Sequence, residues 1–383
     1  MTKYKVVSGD SHLEISPGRW SDRVPAKYKE RAPRLVTLPH GGDGIIIEGR
    51  EVYTLGLAIT GVPPEEHKLF GLNYDGAPGA GTPENRLKEQ DRDGVDAEVL
   101  YTSAGNARFW RGIGDDDAYN AVIHAYNEFL AEEYQAAAPT RLLPAAVIPQ
   151  STIEGAMAEL EYAISKNMNA IMLSTYPSGK GYPTDADDRF WQLALDAKMA
   201  VTAHVNFNGR EGPYYQYEKS PNLAAFGANP VRALGRFAQG EHVAVMIAMM
   251  MHGVFDRFPA LNIYWAETMI GWLPSWLEQL DDTYRRNRHW MERDFGVKPF
   301  VRKPSEYILD NATWGFIYDP FGVKMRNEVN IDHIIWGSDF PHSASDWPNS
   351  PQLLDKMFEG ASAEDRSKLI CDNAVKFFHL TEK

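Results

Sequence analysis

The sequence contains a single cysteine, Cys371, so an intrachain disulfide is excluded. It also lacks an apolar run of about 18 residues, the length that a membrane-spanning helix needs. No apolar signal region follows the opening residues Met-Thr-Lys-Tyr-Lys, and no internal repeat or low-complexity segment is present. These absences predict a soluble cytoplasmic protein.

Positive charge is scarce as well. Lys and Arg number 39 against 52 Asp and Glu, which gives a formal net charge of -13 at pH 7. The basic residues form no stripe that could neutralise phosphates, which argues against nucleic acid and an anionic membrane as partners. We therefore expect a small-molecule substrate.

What the sequence does contain is a regular alternation of helical and strand-like segments. Its 383 residues, of which 44% are hydrophobic, suffice for one large domain over residues 1–383. The alternation is typical of a parallel sheet, and eight strands with intervening helices predict an α/β fold of the (β/α)8 TIM barrel type. The predicted strands are 3–7, 97–102, 142–148, 170–174, 200–205, 261–266, 312–317 and 333–337.

Two long segments interrupt the alternation and are predicted to be insertions after strands 1 and 5. Residues 13–84 are rich in Pro and Gly, contain one predicted hairpin at 45–53, and should cover one face of the barrel. Residues 206–239 carry several tyrosines, which either form a lid over the site or pack this segment on the barrel.

Ionisable side chains gather at the ends of the predicted strands. Because the loops that follow the strands of such a barrel all open on one face, we expect these side chains to meet there. Asp10 and His12 are two residues apart, so both should point to the same side and reach one ion. The candidates are Asp10 and His12 after strand 1, His204 after strand 5, Glu267 after strand 6 and Asp339 after strand 8.

A cluster of imidazoles and carboxylates without thiolate suits Zn, Mn or Fe. Such an ion can lower the pKa of a bound water and polarise a carbonyl or carboxylate group. Asp339 would then ligate the ion, act as a general base, or do both. His342, three residues further along, is a candidate for contact with metal or substrate. One divalent ion is expected, and the same side chains could hold two.

Four motifs together resemble the amidohydrolase-related group of the amidohydrolase superfamily. They are Asp-x-His at 10–12, Ala-His at 203–204, Gly-Val-Phe-Asp-Arg-Phe-Pro-Ala-Leu at 253–261 and Trp-Gly-Ser-Asp-Phe-Pro-His at 336–342. That group includes aminocarboxymuconate semialdehyde and resorcylate decarboxylases as well as hydrolases. The resemblance implies a metal site in a barrel, usually within an oligomer, whose ligands match Asp10, His12, His204 and Asp339.

One position departs from the pattern of that group. Its decarboxylases have a His at the end of strand 6 that acts on the substrate, whereas this chain has Glu267. A carboxylate cannot replace an imidazolium as the cationic partner of a substrate carboxylate. It can instead ligate a second metal ion, accept a proton or hold a water.

The sequence therefore predicts a metal-dependent hydrolase or decarboxylase-like lyase that acts on a small carbonyl or carboxylate compound. Asp339, Glu267 and His342 are the predicted catalytic residues, and Glu267 is also a candidate ligand. Two alternatives remain: a dinuclear iron or manganese oxygenase on the same barrel, and a non-catalytic partner subunit. A homo-oligomer, dimer or larger, is expected, with a hetero-oligomer containing a paralogue as the alternative.

Overall fold

The structure, a computed structural model, describes residues 4–39, 41–52, 59–68, 71–102, 110–204, 230–236, 238, 240 and 242–380. Eight of its strands are parallel and hydrogen-bond to one another in chain order, forming a nearly closed barrel. The predicted TIM barrel is therefore confirmed. These strands are β1 Val7–Leu13, β5 Ala97–Thr102, β6 Leu142–Val147, β7 Ala170–Leu173, β8 Ala200–Ala203, β9 Ile263–Trp265, β10 Ala312–Phe316 and β11 Ile334–Trp336.

Helices surround the barrel and cover its strands. Strands buried on both faces read as continuous apolar runs, as in Leu-Leu-Pro-Ala-Ala-Val of β6 and Ala-Ile-Met-Leu of β7, where every residue is buried. The helices are α1 Pro83–Asp93, α2 Asp116–Phe129, α3 Ile153–Ser165, α4 Asp188–Asp196, α5 Pro230–Leu234, α6 His242–Met251, α7 Val254–Arg257, α8 Leu273–Phe295, α9 Pro304–Asn311, α10 Pro320–Lys324, α11 Ser350–Met357, α12 Ala363–Ser367 and α13 Asn373–Phe377. Among these, none is long and apolar enough to cross a membrane.

The predicted bounds of the first strand are wrong. The strand runs over Val7–Leu13 rather than 3–7, so Asp10 and His12 lie inside it. Its Ser, Gly and Asp residues have low strand propensity, but pairing with β5 overrides that preference. On its other side, His12 N donates to Phe340 O at 2.6 Å and Asp339 N donates to Asp10 O at 2.9 Å. These contacts join the two ends of the chain and close the barrel.

The first insertion contains a small antiparallel sheet made of β2 Arg34–Thr37, β3 Asp43–Ile47 and β4 Arg50–Val52. The predicted hairpin at 45–53 corresponds to β3 and β4, whereas β2 was not predicted. The insertion contacts the segment after β11, since Thr60 N donates to Pro341 O at 3.3 Å. Most of the predicted insertion 206–239 lies outside the described residues, over 206–229, 237 and 239.

Candidate metal centre

Four of the predicted ligands meet at the C-terminal ends of the barrel strands. Asp10 and His12 are on β1, His204 directly follows β8, and Asp339 follows β11. Asp10, His12 and His204 each offer one ligand atom within 4.8 Å of the others, and Asp10 and Asp339 meet the same limit together with Glu267. The structure thus brings together every side chain that was predicted to bind metal.

The distances between these atoms fit a shared ion. His12 Nε2 lies 3.4 Å from Asp10 Oδ1 and 3.2 Å from Asp339 Oδ1, and His204 Nε2 lies 3.5 Å from Asp10 Oδ1. Bonds of about 2.0–2.2 Å from nitrogen or oxygen to a divalent ion place neighbouring ligand atoms roughly 3–3.5 Å apart. Each of these three pairs therefore has the spacing of two ligand atoms on one divalent ion.

Three of these side chains, Asp10, His12 and His204, have no hydrogen bonds of their own. Both carboxylate oxygens of Asp10 and both ring nitrogens of His12 and His204 are buried without a hydrogen-bonding partner. Buried polar atoms are nearly always satisfied in folded proteins, because leaving them unpaired costs about 1–3 kcal/mol each. A divalent cation would satisfy Asp10, His12 and His204 together, so the residues present fit a metal ion.

The charges of the site are consistent with cation binding. Burial favours a raised pKa for Asp10, but His204 and His12 outweigh it and hold the pKa well below its usual range. Burial likewise opposes the charged form of His12, yet the carboxylates of Asp10 and Asp339 raise its pKa to about 10. The pKa of Asp339 is lowered, since His12 and His342 outweigh its burial. Asp10 and Asp339 are therefore ionised, and their negative charge favours a cation at the site.

Two of the site carboxylates have an unusual backbone conformation. Glu267 has φ 59° and Asp339 has φ 52°, in the left-handed region that side chains other than glycine rarely adopt. Such residues cost on the order of 1–3 kcal/mol and cluster at functional sites. Gly337 helps to place Asp339, because a Cβ atom there would lie 2.5 Å from Asp10 Cβ. The close approach of β11 to β1 thus requires a glycine.

Glu267 differs from the four buried candidate ligands in its exposure. Its Oε2 lies 3.7 Å from His204 Nε2, and its side chain is 30% exposed. Burial raises the pKa of Glu267, and the nearby carboxylates of Asp339 and Asp10 add to this effect while His204 opposes it. The side chains of Asp10, His12, His204 and Asp339 are at most 5% exposed. Glu267 therefore stands between the buried cluster and the open side of the site.

His342, predicted to contact metal or substrate, lies against Asp339 and also against Glu14, which was not predicted to be part of the site. His342 Nδ1 lies 2.9 Å from Asp339 Oδ1, and its Nε2 lies 3.2 Å from Glu14 Oε1. Burial and His12 favour a lowered pKa for His342, but Asp339 and Glu14 raise it. Glu14 continues the alternation of Asp10 and His12 along the first strand, and this spacing was the signal that could have identified it.

A buried polar network fixes β1 beside the candidate site. Arg86 Nε donates to Glu98 Oε2 at 2.7 Å, and Arg86 Nη1 donates to His12 O at 2.9 Å. Ser11 Oγ donates to the other oxygen of Glu98 at 3.1 Å. The backbone that carries Asp10 and His12 is thus held by a buried arginine that is ion-paired with Glu98.

The fold and the site define a barrel with a histidine and carboxylate cluster suited to one divalent ion. The chain belongs to the amidohydrolase family, whose model (Amidohydro_2, amidohydrolase) matches residues 10–380. It is 26% identical over 324 residues to a gamma-resorcylate decarboxylase from Polaromonas sp. (strain JS666 / ATCC BAA-500), which covers 78% of this chain and 87% of that relative. The resemblance inferred from the four motifs is therefore confirmed.

Solved structures share the fold over nearly the whole chain. An amidohydrolase from Mycobacterium avium subsp. paratuberculosis K-10 has a TM-score of 0.73 at 18% identity, with 99% of this chain and 98% of that chain covered. A 5-carboxyvanillate decarboxylase from Novosphingobium aromaticivorans DSM 12444, complexed with manganese and 4-hydroxy-3-methoxy-5-nitrobenzoic acid, has a TM-score of 0.65 at 16% identity, covering 98% and 96%. These comparisons do not favour the oxygenase alternative.

Proposed function

We propose that this protein is a metal-dependent, decarboxylase-like enzyme that removes CO2 from a small aromatic carboxylic acid. One observation carries the proposal: Asp10, His12 and His204 are buried without hydrogen bonds and offer ligand atoms within 4.8 Å of one another, in a chain whose relative is a decarboxylase. We expect one ion per chain, manganese in the first place, because the carboxyvanillate decarboxylase of similar fold binds manganese. We also expect a homo-oligomer, dimer or larger.

Asp10, His12, His204 and Asp339 would hold the ion. When bound, it would polarise an oxygen of the substrate and offset negative charge that develops during the reaction. Asp10 also binds Asp339 N through its backbone oxygen, at 2.9 Å, so the first and last strands stay in register around the ligands. The protein supplies a ligand geometry that is fixed before substrate arrives.

Decarboxylation breaks the bond between the ring carbon and the carboxyl group, and that carbon must gain a proton as CO2 leaves. Asp339 Oδ1 and His342 Nδ1 are 2.9 Å apart, so a proton can move between them beside the reacting group. This pair is fully inside the protein, which keeps bulk water from the reacting carbon.

Glu267 would contact the substrate from the open side. Its carboxylate is 3.7 Å from His204 Nε2 and 30% exposed, so it can accept a hydrogen bond from a substrate hydroxyl group. A substrate with a phenolic hydroxyl next to its carboxyl group would satisfy both Glu267 and the ion. Repulsion between Glu267 and the substrate carboxylate would orient that carboxylate towards the ion.

A product assay tests this proposal. Manganese-loaded protein is incubated with 2,6-dihydroxybenzoate, 5-carboxyvanillate and related hydroxybenzoates, and CO2 and the phenol are measured. Release of CO2 from at least one acid, lost in Asp339→Asn, is expected. Absence of CO2 from every acid, together with no exchange of phenol ring hydrogens in deuterated water, would overturn the proposal.

Hydrolysis is a second candidate, and Glu267 favours it because an accessible carboxylate next to a metal site can activate water. The two candidates respond differently to substitution at this position. If the enzyme is a hydrolase, Glu267→Gln abolishes the cleavage of small esters, amides or lactones. If it is a decarboxylase, Glu267→Gln keeps part of the CO2 release, since the amide oxygen still accepts a hydrogen bond from the substrate hydroxyl group.

A further inference from the structure

Glu14 is a third charged side chain at the end of β1 that faces the candidate site. Its Oε1 lies 3.2 Å from His342 Nε2, while the other ring nitrogen of His342 lies 2.9 Å from Asp339 Oδ1. A carboxylate therefore stands at each nitrogen of the His342 ring. Whichever nitrogen carries a proton, an oxygen is present to accept it.

The His342 ring is also held across its face. It stacks on the ring of His12 with a centroid distance of 3.9 Å and an interplanar angle of 28°. His342 N donates to Asp339 O at 2.8 Å, and Glu14 N donates to Gly79 O at 3.3 Å. The His342 ring thus has a stacked neighbour on one face and a carboxylate oxygen at each nitrogen.

A purely structural role would give Glu14 a Lys or Arg partner, and the ion pairs of the described residues include none. Glu14 is buried, its Oε2 has no hydrogen-bonding partner, and its one ion-pair contact is with His342. Glu98, the other buried glutamate near this strand, is instead paired with Arg86 at 2.7 Å and Gln90 at 2.9 Å. A buried carboxylate whose ion-pair partner is a histidine recovers little of its lost hydration, so folding alone does not explain Glu14.

We propose that Glu14 is a positioning residue that acts through His342 to fix the orientation of Asp339 towards His12 and the ion. This inference rests on the metal site of the proposed function, and it assigns His342 to the shell around the ligands rather than to the ligands themselves. Partners that orient metal ligands in this way contribute about 10–100-fold to metal affinity or activity. Glu14 should therefore affect metal binding without touching the ion.

The test measures metal binding directly. Manganese affinity is determined by electron paramagnetic resonance, and the d–d absorption of cobalt-substituted protein reports ligand geometry. Glu14→Leu should lower manganese affinity about 10–100-fold and alter the cobalt spectrum, and Glu14→Gln, which keeps an accepting oxygen, should recover part of both. If Glu14→Leu does not fold, Glu14→Gln alone should still lower the affinity.

A double substitution decides whether the effect passes through His342. In a His342→Ala background, Glu14→Leu should cause no further loss of affinity, because residues that act through one another are not additive. A matched control is available on α2 and α3, where Glu159 Oε1 lies 2.8 Å from His124 Nδ1. Glu159→Gln should leave manganese affinity and the cobalt spectrum unchanged.

The outcomes separate this inference from the proposed function. Additive losses in the double variant, or unchanged affinity and spectrum in both Glu14 variants, would overturn the positioning role. Wild-type protein that binds manganese but releases no CO2 would overturn the proposed reaction alone. Wild-type protein that binds no divalent ion would overturn both.

Discussion

His12 and His242 are both buried, yet their surroundings shift the pKa of the imidazole in opposite directions. The ring of His242 lies 5.5–5.9 Å from the rings of Trp265, Trp272 and Trp314, and burial lowers its pKa to about 4. His12 lies within 3.4 Å of Asp10 and Asp339, and despite burial its pKa is raised to about 10. The imidazole is thus neutral at His242, and its charged form is stabilised by carboxylates at His12.

The difference shows that burial does not make a histidine functional. Burial alone removes the charge, because a charged ring is poorly solvated inside a protein. Only converging carboxylates reverse that preference, and they do so at the C-terminal ends of the strands, where the loops can bring a substrate. The carboxylates around a histidine therefore separate a candidate ligand from a packed ring.

The largest difference in manganese affinity is expected between two variants that replace a buried histidine by asparagine, one at position 12 and one at position 242. His12→Asn removes a ligand and should lower manganese affinity by more than about 100-fold, since changes around a ligand already cost 10–100-fold. His242→Asn should keep the affinity and lower stability by about 1–3 kcal/mol. Equal manganese affinity in the two variants would contradict the distinction.

A smaller effect is expected at the contact between β11 and β1. Gly337→Ala places a Cβ atom 2.5 Å from Asp10 Cβ, so the strands must separate and the ligands move apart. We expect a loss of about 1–3 kcal/mol in stability and about tenfold weaker manganese binding. Gly18→Ala, whose nearest neighbour would be 3.9 Å away, is the control and should change neither quantity.

The smallest expected effect is the loss of folding stability at acidic pH that results from the buried His242. Its pKa is about 4 in the folded chain against an ordinary 6.5, so its neutral form stabilises the fold above pH 6.5. That stability is lost as the pH falls from 6.5 towards 4, by about 2 kcal/mol between pH 7 and pH 5. In metal-free protein, denaturant unfolding of wild type and His242→Gln should differ by this much in pH dependence. Parallel pH profiles would contradict the prediction.

Apolar patterning was sufficient to predict the barrel, but the first strand shows where patterning fails. The strands β6, β7 and β8 are short apolar runs, and all three were predicted within two residues of their observed ends. The sequence of β1, Val-Ser-Gly-Asp-Ser-His-Leu, has low strand propensity and was not recognised as a strand. It forms one because it pairs with β5 and hydrogen-bonds to Phe340.

The sequence was sufficient to predict which residues are candidate ligands, but not the contacts and backbone conformations of the candidate site. Asp10, His12, His204 and Asp339 could be identified because barrel strands all end on one face. The spacing along β1 points to Glu14, but its partner could not be predicted, because the contact with His342 spans 328 positions and exists only when the barrel closes. The left-handed backbone of Glu267 was not predictable either, since glutamate rarely adopts it.

The central claim is that Asp10, His12, His204 and Asp339 hold one ion at the mouth of the barrel. Anomalous diffraction at the manganese edge, from crystals of the manganese-loaded protein, tests it most directly. We expect one peak per chain, about 2.0–2.3 Å from Asp10, His12 Nε2, His204 Nε2 and Asp339. No peak among these side chains, or a peak that persists there in His12→Asn crystals at equal occupancy, would contradict the account.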